Sequence, residues 1–256
     1  MTTTPQSQPP LPPHAPLRSY YETDANRARY VNELFDRTAP HYNTVEALFG
    51  NVGLYYRRLC LRRAGLAPGM HVLDVAIGTA AVARNAARIV GPTGRVVGVD
   101  PSRGMLNEAR KVFKGPVARG VAQALPIASG RFDFVTMGIA LRHVPDLLAA
   151  FREYRRVLKP GGRVWILEGH IPESPVGRRV TRWAWSSVVP NLTLLLTGSR
   201  DAKLLMDYYW DTVDKCVPPE QILQAMRDAG FEDVRFKATV PGMVCEYTGR
   251  NPERAG

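Results

Sequence analysis

An alternation of short apolar runs with helical patterns fills the middle of the 256-residue chain and limits its fold more than any other feature. Five runs have the apolar, β-branched composition of buried strands, at 70–76, 94–100, 117–122, 131–138 and 161–169. Helical periodicity fills most of the intervals between them, as expected of βαβ units joined by crossover helices. The pattern predicts an α/β fold in which a mostly parallel sheet carries helices on both faces.

The C-terminal third departs from this alternation. Residues 171–215 have helical patterns rich in aromatic side chains, and we interpret them as an insertion that forms a substrate lid over the carboxyl edge of the sheet. A last amphipathic helix at 218–231 begins with proline and ends near glycine, as helices often do. Two closing strands, 232–239 and 242–249, bring the expected sheet to seven strands.

The N-terminal 18 residues are rich in Pro, Thr and Gln and are predicted to form a disordered tail. They contain no apolar h-region, which argues against a secretory signal. No apolar run in the chain reaches the roughly 20 residues that a membrane span requires. We expect residues 19–250 to form one domain, because a chain of this length can bury a single sizeable core.

The cysteines indicate the redox compartment of the protein, and its charge indicates which macromolecules it could bind. Cys60, Cys216 and Cys245 form an odd set without metal-ligand spacing, so we expect a cytoplasmic protein with no metal and no disulfide framework. The formal net charge is +11. Arginines are concentrated in three clusters: Arg57, Arg58, Arg62 and Arg63; Arg152, Arg155 and Arg156; and Arg178, Arg179 and Arg182. Such clusters attract nucleic acid or anionic lipid headgroups, and charge alone does not choose between them.

The segment HVLDVAIGTAAVAR, residues 71–84, joins the first strand to the first core helix through a loop with a single glycine. In an open α/β sheet, ligands bind beside such a loop, at the carboxyl ends of the strands. Gly78 allows the backbone to approach a ligand closely. Asp100, at the end of the second strand, is placed to accept both hydroxyls of a ribose. A dinucleotide site is disfavoured, because AIGTAA does not supply the spacing G-x-G-x-x-G.

Further motifs, in their order along the chain, resemble class I S-adenosylmethionine (SAM) methyltransferases and, more narrowly, the ubiquinone/menaquinone biosynthesis C-methyltransferase family. They are FDRTAPHYN, Asp-x-Ala-x-Gly-Thr, the acidic end of the second strand, ALP, LRHV, VLKPGGRVWILE, PPEQILQAMRDAGFEDV and PGMVCEYTGR. The similarity runs from about Val31 to Arg250. The resemblance implies a Rossmann-like fold, SAM as the cofactor and an enzyme that transfers a methyl group.

The resemblance also implies a set of cofactor-binding residues: Tyr42, Asp74, Ala76, Gly78, Thr79, Asp100, Pro101, Met105 and Ala122. Two neighbouring positions depart from the family. Ala80 replaces the last loop glycine, which costs on the order of 1 kcal/mol if its φ is positive. Val121 replaces an Asp or Asn that bonds the adenine amino group, and one lost hydrogen bond corresponds to at most about a tenfold loss of SAM affinity.

The catalytic candidates lie in GIALRHV, after the fourth strand. Arg142 matches a family arginine implicated in activating a ring hydroxyl, and a guanidinium can stabilise a phenolate. His143 replaces the family's Asn and is a better base near neutral pH, with a structural polar role as the alternative. The substrate candidates are His170, in the loop after the fifth strand, and Tyr209 and Trp210, whose rings suit an apolar aromatic substrate.

The sequence therefore predicts methyl transfer from SAM to a carbon of a hydroxylated aromatic or quinol-type molecule. The departures at Ala80, Val121 and His143 leave O- or N-methylation of a specialised metabolite open. A non-catalytic SAM fold is a further alternative, which the intact Asp74 and Asp100 argue against. Nucleic-acid methylation comes last, since the chain has no Asn/Asp-Pro-Pro-aromatic motif for a flipped base. The basic clusters leave peripheral membrane contact open, and the sequence also leaves open a homodimer.

Overall fold

The computed structural model describes residues 10–48, 52–239 and 243–253. Within these ranges one sheet contains β1 (His71–Val75), β2 (Arg95–Asp100), β3 (Val117–Arg119), β4 (Phe132–Gly138), β5 (Leu158–Gly169), β6 (Glu232–Thr239) and β7 (Val244–Arg250). The strand order is β3-β2-β1-β4-β5-β7-β6. Strands β1 to β5 pair in parallel, and β7 is antiparallel to β5 and β6. The predicted α/β fold with a mostly parallel, seven-stranded sheet is confirmed.

The strand order changes direction at the centre of the sheet. The chain builds outward from β1 through β2 to β3 and then returns to β4 on the other side of β1. At such a switch point the loops that leave the two central strands separate and open a crevice at the carboxyl edge. The residues that follow Val75 on β1 and Gly138 on β4 therefore meet at this crevice.

Helices cover both faces of the sheet. They are α1 (Asp24–Leu48), α2 (Val52–Arg63), α3 (Ala81–Val90), α4 (Arg103–Val112), α5 (Leu147–Val157), α6 (Pro175–Trp183), α7 (Val189–Thr197), α8 (Arg200–Asp214) and α9 (Pro219–Asp228). Leu73 belongs to an apolar cluster that includes Met226 on α9, whereas Val72 belongs to a second cluster with Ala86 on α3. Consecutive strand residues point to opposite faces, so β1 supplies both layers of the core.

Two strand boundaries differ by three residues from those expected from the sequence, and the other strand ends lie within two residues of expectation. Strand β3 ends before Val121, because the chain turns there and Val121 forms a backbone bridge with Ala124. Strand β5 begins at Leu158 rather than at residue 161, because Leu158 already pairs with Phe132. A register shift between Phe132 and Phe134 absorbs the extra residues, and turn-type sequence patterns alone do not reveal such a shift.

The insertion expected over 171–215 is helical and contains α6, a π-helical turn at Ala184–Val188, α7 and α8. Helix α8 packs along α1, and α7 packs on α8. Tyr208 on α8 meets Tyr20 and Tyr30 edge-on, with ring centroids 5.1 and 5.9 Å apart. Its role as a substrate lid stays a prediction. Across the described ranges, no helix has both the length and the apolar character needed to cross a membrane.

Residues 10–21, which we call the N-terminal strap, pack against the domain, and this corrects the predicted disorder of the tail for residues 10–18. The Leu147 N–H donates to the Leu11 carbonyl at 2.9 Å, and the Val217 N–H donates to the Pro13 carbonyl at 2.7 Å. Leu17 is buried. Proline lacks an N–H but keeps its carbonyl acceptor, so a Pro-rich composition does not prevent docking of this kind. Residues 1–9 lie outside the described residues.

Candidate functional site

The loop after β1 turns through three left-handed residues, Ala76, Gly78 and Ala80, with φ values of 54°, 54° and 69°. The Ala80 N–H donates to the Ile77 carbonyl at 2.9 Å and closes the turn before α3. A Cβ added at Gly78 would meet nothing closer than the Ala76 carbonyl oxygen at 4.0 Å. The loop therefore presents open backbone to the crevice, as expected of a ligand-binding loop.

Asp100 ties this loop to the end of β2. Its two carboxylate oxygens accept the backbone N–H groups of Gly78 and Ser102, each at 2.9 Å. Burial raises the pKa of Asp100 to about 6. Because a carboxylate has about four lone-pair positions, Asp100 can still accept two hydroxyl groups while it holds both backbone donors.

Asp36 on α1 closes the same corner from the other side. Its Oδ1 atom accepts the Ser102 hydroxyl at 2.6 Å and the Gly104 N–H at 2.8 Å. A Cβ at Gly104 would lie 2.7 Å from the Asp36 carbonyl oxygen, so the two helices come close to each other here. Sequence analysis did not select Asp36, although it lies within the FDRTAPHYN motif.

Two buried polar atoms near the end of β1 have no hydrogen-bond partner among the described residues: Oδ2 of Asp74 and Oγ1 of Thr79. The other Asp74 oxygen accepts the Thr136 hydroxyl at 2.7 Å, and burial raises the pKa of Asp74 to about 7. An unsatisfied buried polar group costs about 1–3 kcal/mol, so a ligand with matching polar groups would bind favourably. SAM carries an ammonium group, a carboxylate and ribose hydroxyls, and these residues fit it.

One cavity of about 610 Å³ joins these groups, a volume suited to small-molecule ligands. Every residue predicted to bind the cofactor lines it: Tyr42, Asp74, Ala76, Gly78, Thr79, Asp100, Pro101, Met105 and Ala122. The cavity continues into what we call the apolar chamber, lined by Phe35, Trp185, Met206, Tyr209 and Met243. The sequence placed Tyr209 and the aromatic Trp185 at an apolar substrate wall, whereas Phe35, Met206 and Met243 come from segments that no local motif connects to them.

His143 lies on the wall of the same cavity, in a short 3-10 helix at Leu141–His143. Its ring stacks on Tyr208, with centroids 5.4 Å apart, and meets Phe35 edge-on at 5.2 Å. Its Nδ1 atom is buried and has no partner in the described part of the chain. Burial, together with the positive charges of Arg142 and Arg27, lowers the pKa of His143 well below its usual value. The imidazole is therefore neutral at pH 7 and able to accept a proton.

Arg142 does not line the cavity, in contrast to His143. Its buried guanidinium forms an ion pair with Glu168, donates to the Thr212 hydroxyl at 2.9 Å and lies over the Tyr209 ring, 4.1 Å from its centroid. Tyr209 is itself a cavity wall. The Arg142 guanidinium therefore contacts protein groups rather than the cavity, and its contact with an oxyanion stays a prediction.

A second buried arginine, Arg27 on α1, connects the strap to the loop that carries Arg142 and His143. Its Nη2 atom donates to the Arg142 carbonyl at 2.9 Å and to Nε2 of His14 at 2.8 Å, while Nδ1–H of His14 donates to the Ala15 carbonyl at 2.7 Å. Burial and the Arg27 charge lower the pKa of His14 to about 4, so His14 is neutral. The network fixes the backbone that carries His143, and the composition of the strap gave no sign of it.

Two of the three substrate candidates do not reach the cavity. Tyr209 lines it, but Trp210 is the next residue of α8 and projects about 100° away, into the buried side of the helix. The His170 N–H donates to the Met243 carbonyl at 2.9 Å, which continues the pairing of β5 with β7. Its ring then packs edge-on against Phe236, with centroids 5.6 Å apart. Trp210 and His170 are therefore removed from the candidate substrate site.

The two departures in the cofactor loops have different structural consequences. Ala80 has a positive φ, so the penalty of about 1 kcal/mol for an L-residue with a Cβ applies. Val121 lines the cavity with 39% of its surface exposed and offers no side-chain hydrogen bond there. The adjacent Ala122 also lines the cavity, so its backbone remains available to a ligand.

Comparisons with known proteins agree with this geometry. Residues 22–251 match the ubiE/COQ5 methyltransferase family. The chain is 34% identical over 238 residues to the ubiquinone/menaquinone biosynthesis C-methyltransferase UbiE of Ectopseudomonas mendocina, covering 90% of this chain and 91% of the relative. It is 31% identical over 235 residues to the demethylmenaquinone methyltransferase of Lactococcus lactis, covering 88% and 90% of the two chains.

The fold has counterparts among solved structures. A SAM-dependent methyltransferase of Thermotoga maritima superposes with a TM-score of 0.60 at 22% identity, over 86% of this chain and 99% of that one. At this identity the similarity concerns the fold, and the chemistry has to be argued from the site.

Proposed function

Because the chain belongs to the ubiE/COQ5 methyltransferase family, we propose that it methylates a ring carbon of a hydroxylated aromatic or quinol-type molecule. The enzyme is a SAM-dependent methyltransferase, and the similar proteins of Ectopseudomonas mendocina and Lactococcus lactis are named for methylation of quinone precursors. One observation carries the proposal. A single cavity joins the cofactor-binding residues to an apolar chamber, with a neutral histidine on its wall.

The cofactor end of the cavity is built to hold a charged and hydroxylated ligand. Bound SAM supplies a methyl group that is electrophilic because it is attached to a sulfonium. Asp74 would accept the ammonium group, and Asp100 would accept the ribose hydroxyls beside the open backbone of Gly78. These contacts hold the ligand while the apolar chamber excludes water, and holding two reactants in a reactive geometry lowers the entropic part of the barrier.

His143 is the catalytic base of the proposal. The imidazole accepts the proton of a ring hydroxyl, which leaves electron density on the carbon beside the oxygen and makes that carbon nucleophilic. The ring carbon would form a bond to the methyl group as the bond between that methyl group and the sulfonium sulfur breaks, which would leave S-adenosylhomocysteine. The ring carbon then loses its own hydrogen as a proton, and the ring oxygen regains the proton that His143 had accepted. Overall, a C–H bond is replaced by a C–C bond and one proton is released.

The charge around His143 makes this proton transfer feasible although the pKa of the histidine is lowered. Arg27 and Arg142 supply two buried positive charges, and the Glu168 carboxylate opposes one of them. A positive field lowers the pKa of a nearby phenol for the same reason that it lowers the pKa of an imidazole. Donor and acceptor therefore shift in the same direction, and the phenolate is stabilised without direct contact with a guanidinium.

The test is incubation with methyl-labelled SAM and a panel of hydroquinones, phenols and heteroaromatic amines. We expect label on a ring carbon of a hydroquinone or phenol, identified by NMR of the isolated product. Label on oxygen or nitrogen would overturn the acceptor assignment while keeping the enzyme class. Absence of label with every acceptor, from protein that binds SAM, would overturn the proposal.

We also propose that the enzyme works in the cytoplasm and acts on small molecules rather than on nucleic acid. The free thiols of Cys60, Cys216 and Cys245 support a reducing compartment. The apolar chamber suits a hydrophobic ring and offers little to a phosphate backbone.

A further inference from the structure

The outer side of the insertion carries a row of exposed apolar side chains. On α6 these are Val176, Val180 and Trp183, and the exposed fractions of Val176 and Trp183 are 72% and 64%. On α7, Leu195 is 80% exposed and Leu196 is 52% exposed. Monomeric soluble proteins rarely leave such a contiguous set in water, so its position marks an interaction surface.

The π-helical turn keeps this row continuous between the two helices. Val176, Val180 and Trp183 have the i, i+4, i+7 spacing of one helix face. A further α-helical turn would place Ser187 below Trp183, but the wider π turn, with its i→i+5 bonding, places Val188 there. From Val188 the row continues through α7 to Leu195 with α-helical spacing. We call the row of exposed side chains formed by Val176, Val180, Trp183, Val188 and Leu195 the apolar stripe.

The same turn directs Trp185 to the opposite side. Its ring stacks on Tyr209 with centroids 4.7 Å apart and an interplanar angle of 14°, and both rings line the cavity. One helical segment therefore has the apolar stripe on its outer side and the wall of the apolar chamber on its inner side.

The charge of the segment is uniformly positive. Residues 175–198 contain three arginines and no aspartate or glutamate. Arg178, Arg179 and Arg182 are exposed beside the stripe, and Arg182 reaches Asp214 at 3.2 Å. Exposed Trp, Leu and Val along one side of a helix, flanked by arginines, are typical of helices that lie in a membrane interface.

Charge also argues against a second copy of the chain as the occupant. A two-fold symmetric contact would place the same surface patch on both partners, so the arginines of one stripe would face those of the other. The segment offers no carboxylate of its own to neutralise them. An anionic lipid surface supplies both the phosphates and the apolar boundary that this face requires.

We propose that α6 and α7 dock on an anionic lipid bilayer, with the apolar stripe inserted at the headgroup boundary and Arg178 and Arg179 on lipid phosphates. Docking places the inner side of the segment, where Trp185 stacks on Tyr209 of α8, directly behind the lipid contact. An apolar acceptor could then enter the chamber from the bilayer, a consequence that rests on the proposed function. The docking proposal itself does not depend on the proposed function.

The experiment is co-sedimentation of the full chain with vesicles of phosphatidylcholine alone or mixed with phosphatidylglycerol. We expect binding to the mixed vesicles that weakens as salt is raised. Trp183→Glu with Leu195→Glu should lower the partition coefficient at least about tenfold, because both changes put a charge into the interface. Arg178→Gln with Arg179→Gln should lower it about 10- to 30-fold, at about 1 kcal/mol per basic residue.

Control variants lie on α4, away from the insertion. Val112, with 42% exposure, is changed to Glu, and Arg103 with Arg110 is changed to Gln. These controls should bind vesicles as the parent does, and all variants should keep the parent melting temperature.

Light scattering of each variant tests the alternative occupant, a second copy of the chain. The proposal would be overturned if the stripe variant loses a dimer while its vesicle binding is unchanged. It would also be overturned if the parent binds neutral and anionic vesicles equally, or if the control variants lose as much vesicle binding as the stripe and arginine variants. Methylation of a water-soluble acceptor should stay unchanged in the stripe variant, which separates docking from chemistry.

Discussion

The two ends of the cavity are built in different ways. At the cofactor end, the loop after β1 and the end of β2 lie next to each other and are joined by a hydrogen bond from Gly78 to Asp100. At the catalytic end, His143 depends on Arg27 from α1, His14 from the strap and the Tyr208 ring from α8. Local motifs therefore specify the first end, whereas long-range packing specifies the second.

The two ends also differ in electrostatics. Burial raises the pKa values of Asp74 and Asp100 at the cofactor end, so their carboxylates gain from a ligand that donates hydrogen bonds or carries positive charge. Burial and positive charge lower the pKa of His143 at the catalytic end, where an anionic oxygen would be stabilised. Substitutions at the two ends should therefore affect different measurements.

The largest expected effect is on turnover, at the catalytic end. His143→Ala should lower kcat by about 10²–10⁴-fold, the usual contribution of a general base, while calorimetry shows unchanged SAM affinity. His143→Asn restores the family residue and should retain more activity than Ala through a positioned water. At saturating SAM, kcat of the parent enzyme should be level above about pH 6.5, because a lowered pKa keeps His143 neutral there. Near-parent kcat in His143→Ala would remove the histidine from the mechanism.

The next effect is on the free energy of unfolding, and it tests whether the ion pair between Arg142 and Glu168 is shielded from solvent. Glu168→Gln leaves the Arg142 guanidinium uncompensated, and breaking such a pair costs about 3–5 kcal/mol of unfolding free energy. The matched control is Asp133→Asn, which breaks an exposed pair with Lys159 and should cost at most about 1 kcal/mol. Urea unfolding measures both. Equal losses would mean that solvent reaches Arg142.

The difference between the two ends explains how much the sequence could predict. The mostly parallel sheet, the cofactor loop and Asp100 followed from local patterns in and beside each strand. The strap did not, because its proline-rich composition resembles disorder while its carbonyls happen to face free N–H groups at Leu147 and Val217. Trp210 and Tyr209 are neighbours in sequence, and only the orientation of α8 shows which of them faces the cavity.

A smaller effect is expected on SAM binding, at the cofactor end. Asp100→Ala should weaken SAM by about 1.5–3 kcal/mol, the contribution of hydrogen bonds to a charged group, without a comparable loss of kcat at saturation. In the parent enzyme, SAM should favour the ionised carboxylates, so its affinity should rise with pH through the pKa of Asp100, about 6, and that of Asp74, about 7, and level above them. Calorimetry across pH measures both. Unchanged affinity in a folded Asp100→Ala variant would exclude the ribose contact.

The smallest effect concerns the two departures from the family pattern. Val121→Asp places a hydrogen-bond acceptor at the cavity wall and should tighten SAM by about 0.5–1.5 kcal/mol, or up to about tenfold. Ala80→Gly relieves a positive φ worth about 1 kcal/mol but removes a buried methyl group worth about 0.8 kcal/mol, so its own effect on stability should be close to zero.

Val112→Asp is the matched control for Val121→Asp, since Val112 is 42% exposed and Val121 is 39% exposed. It adds the same charge on α4, at a position that does not line the cavity, and SAM affinity should not change. Val121→Asn separates hydrogen bonding from charge, because an amide oxygen accepts the same bond without attracting the cationic ligand over distance. If Asp and Asn tighten SAM equally, the hydrogen bond alone explains the gain. If neither tightens it, the wall has repacked around Val121, and the cofactor end is less locally determined than its motifs indicate.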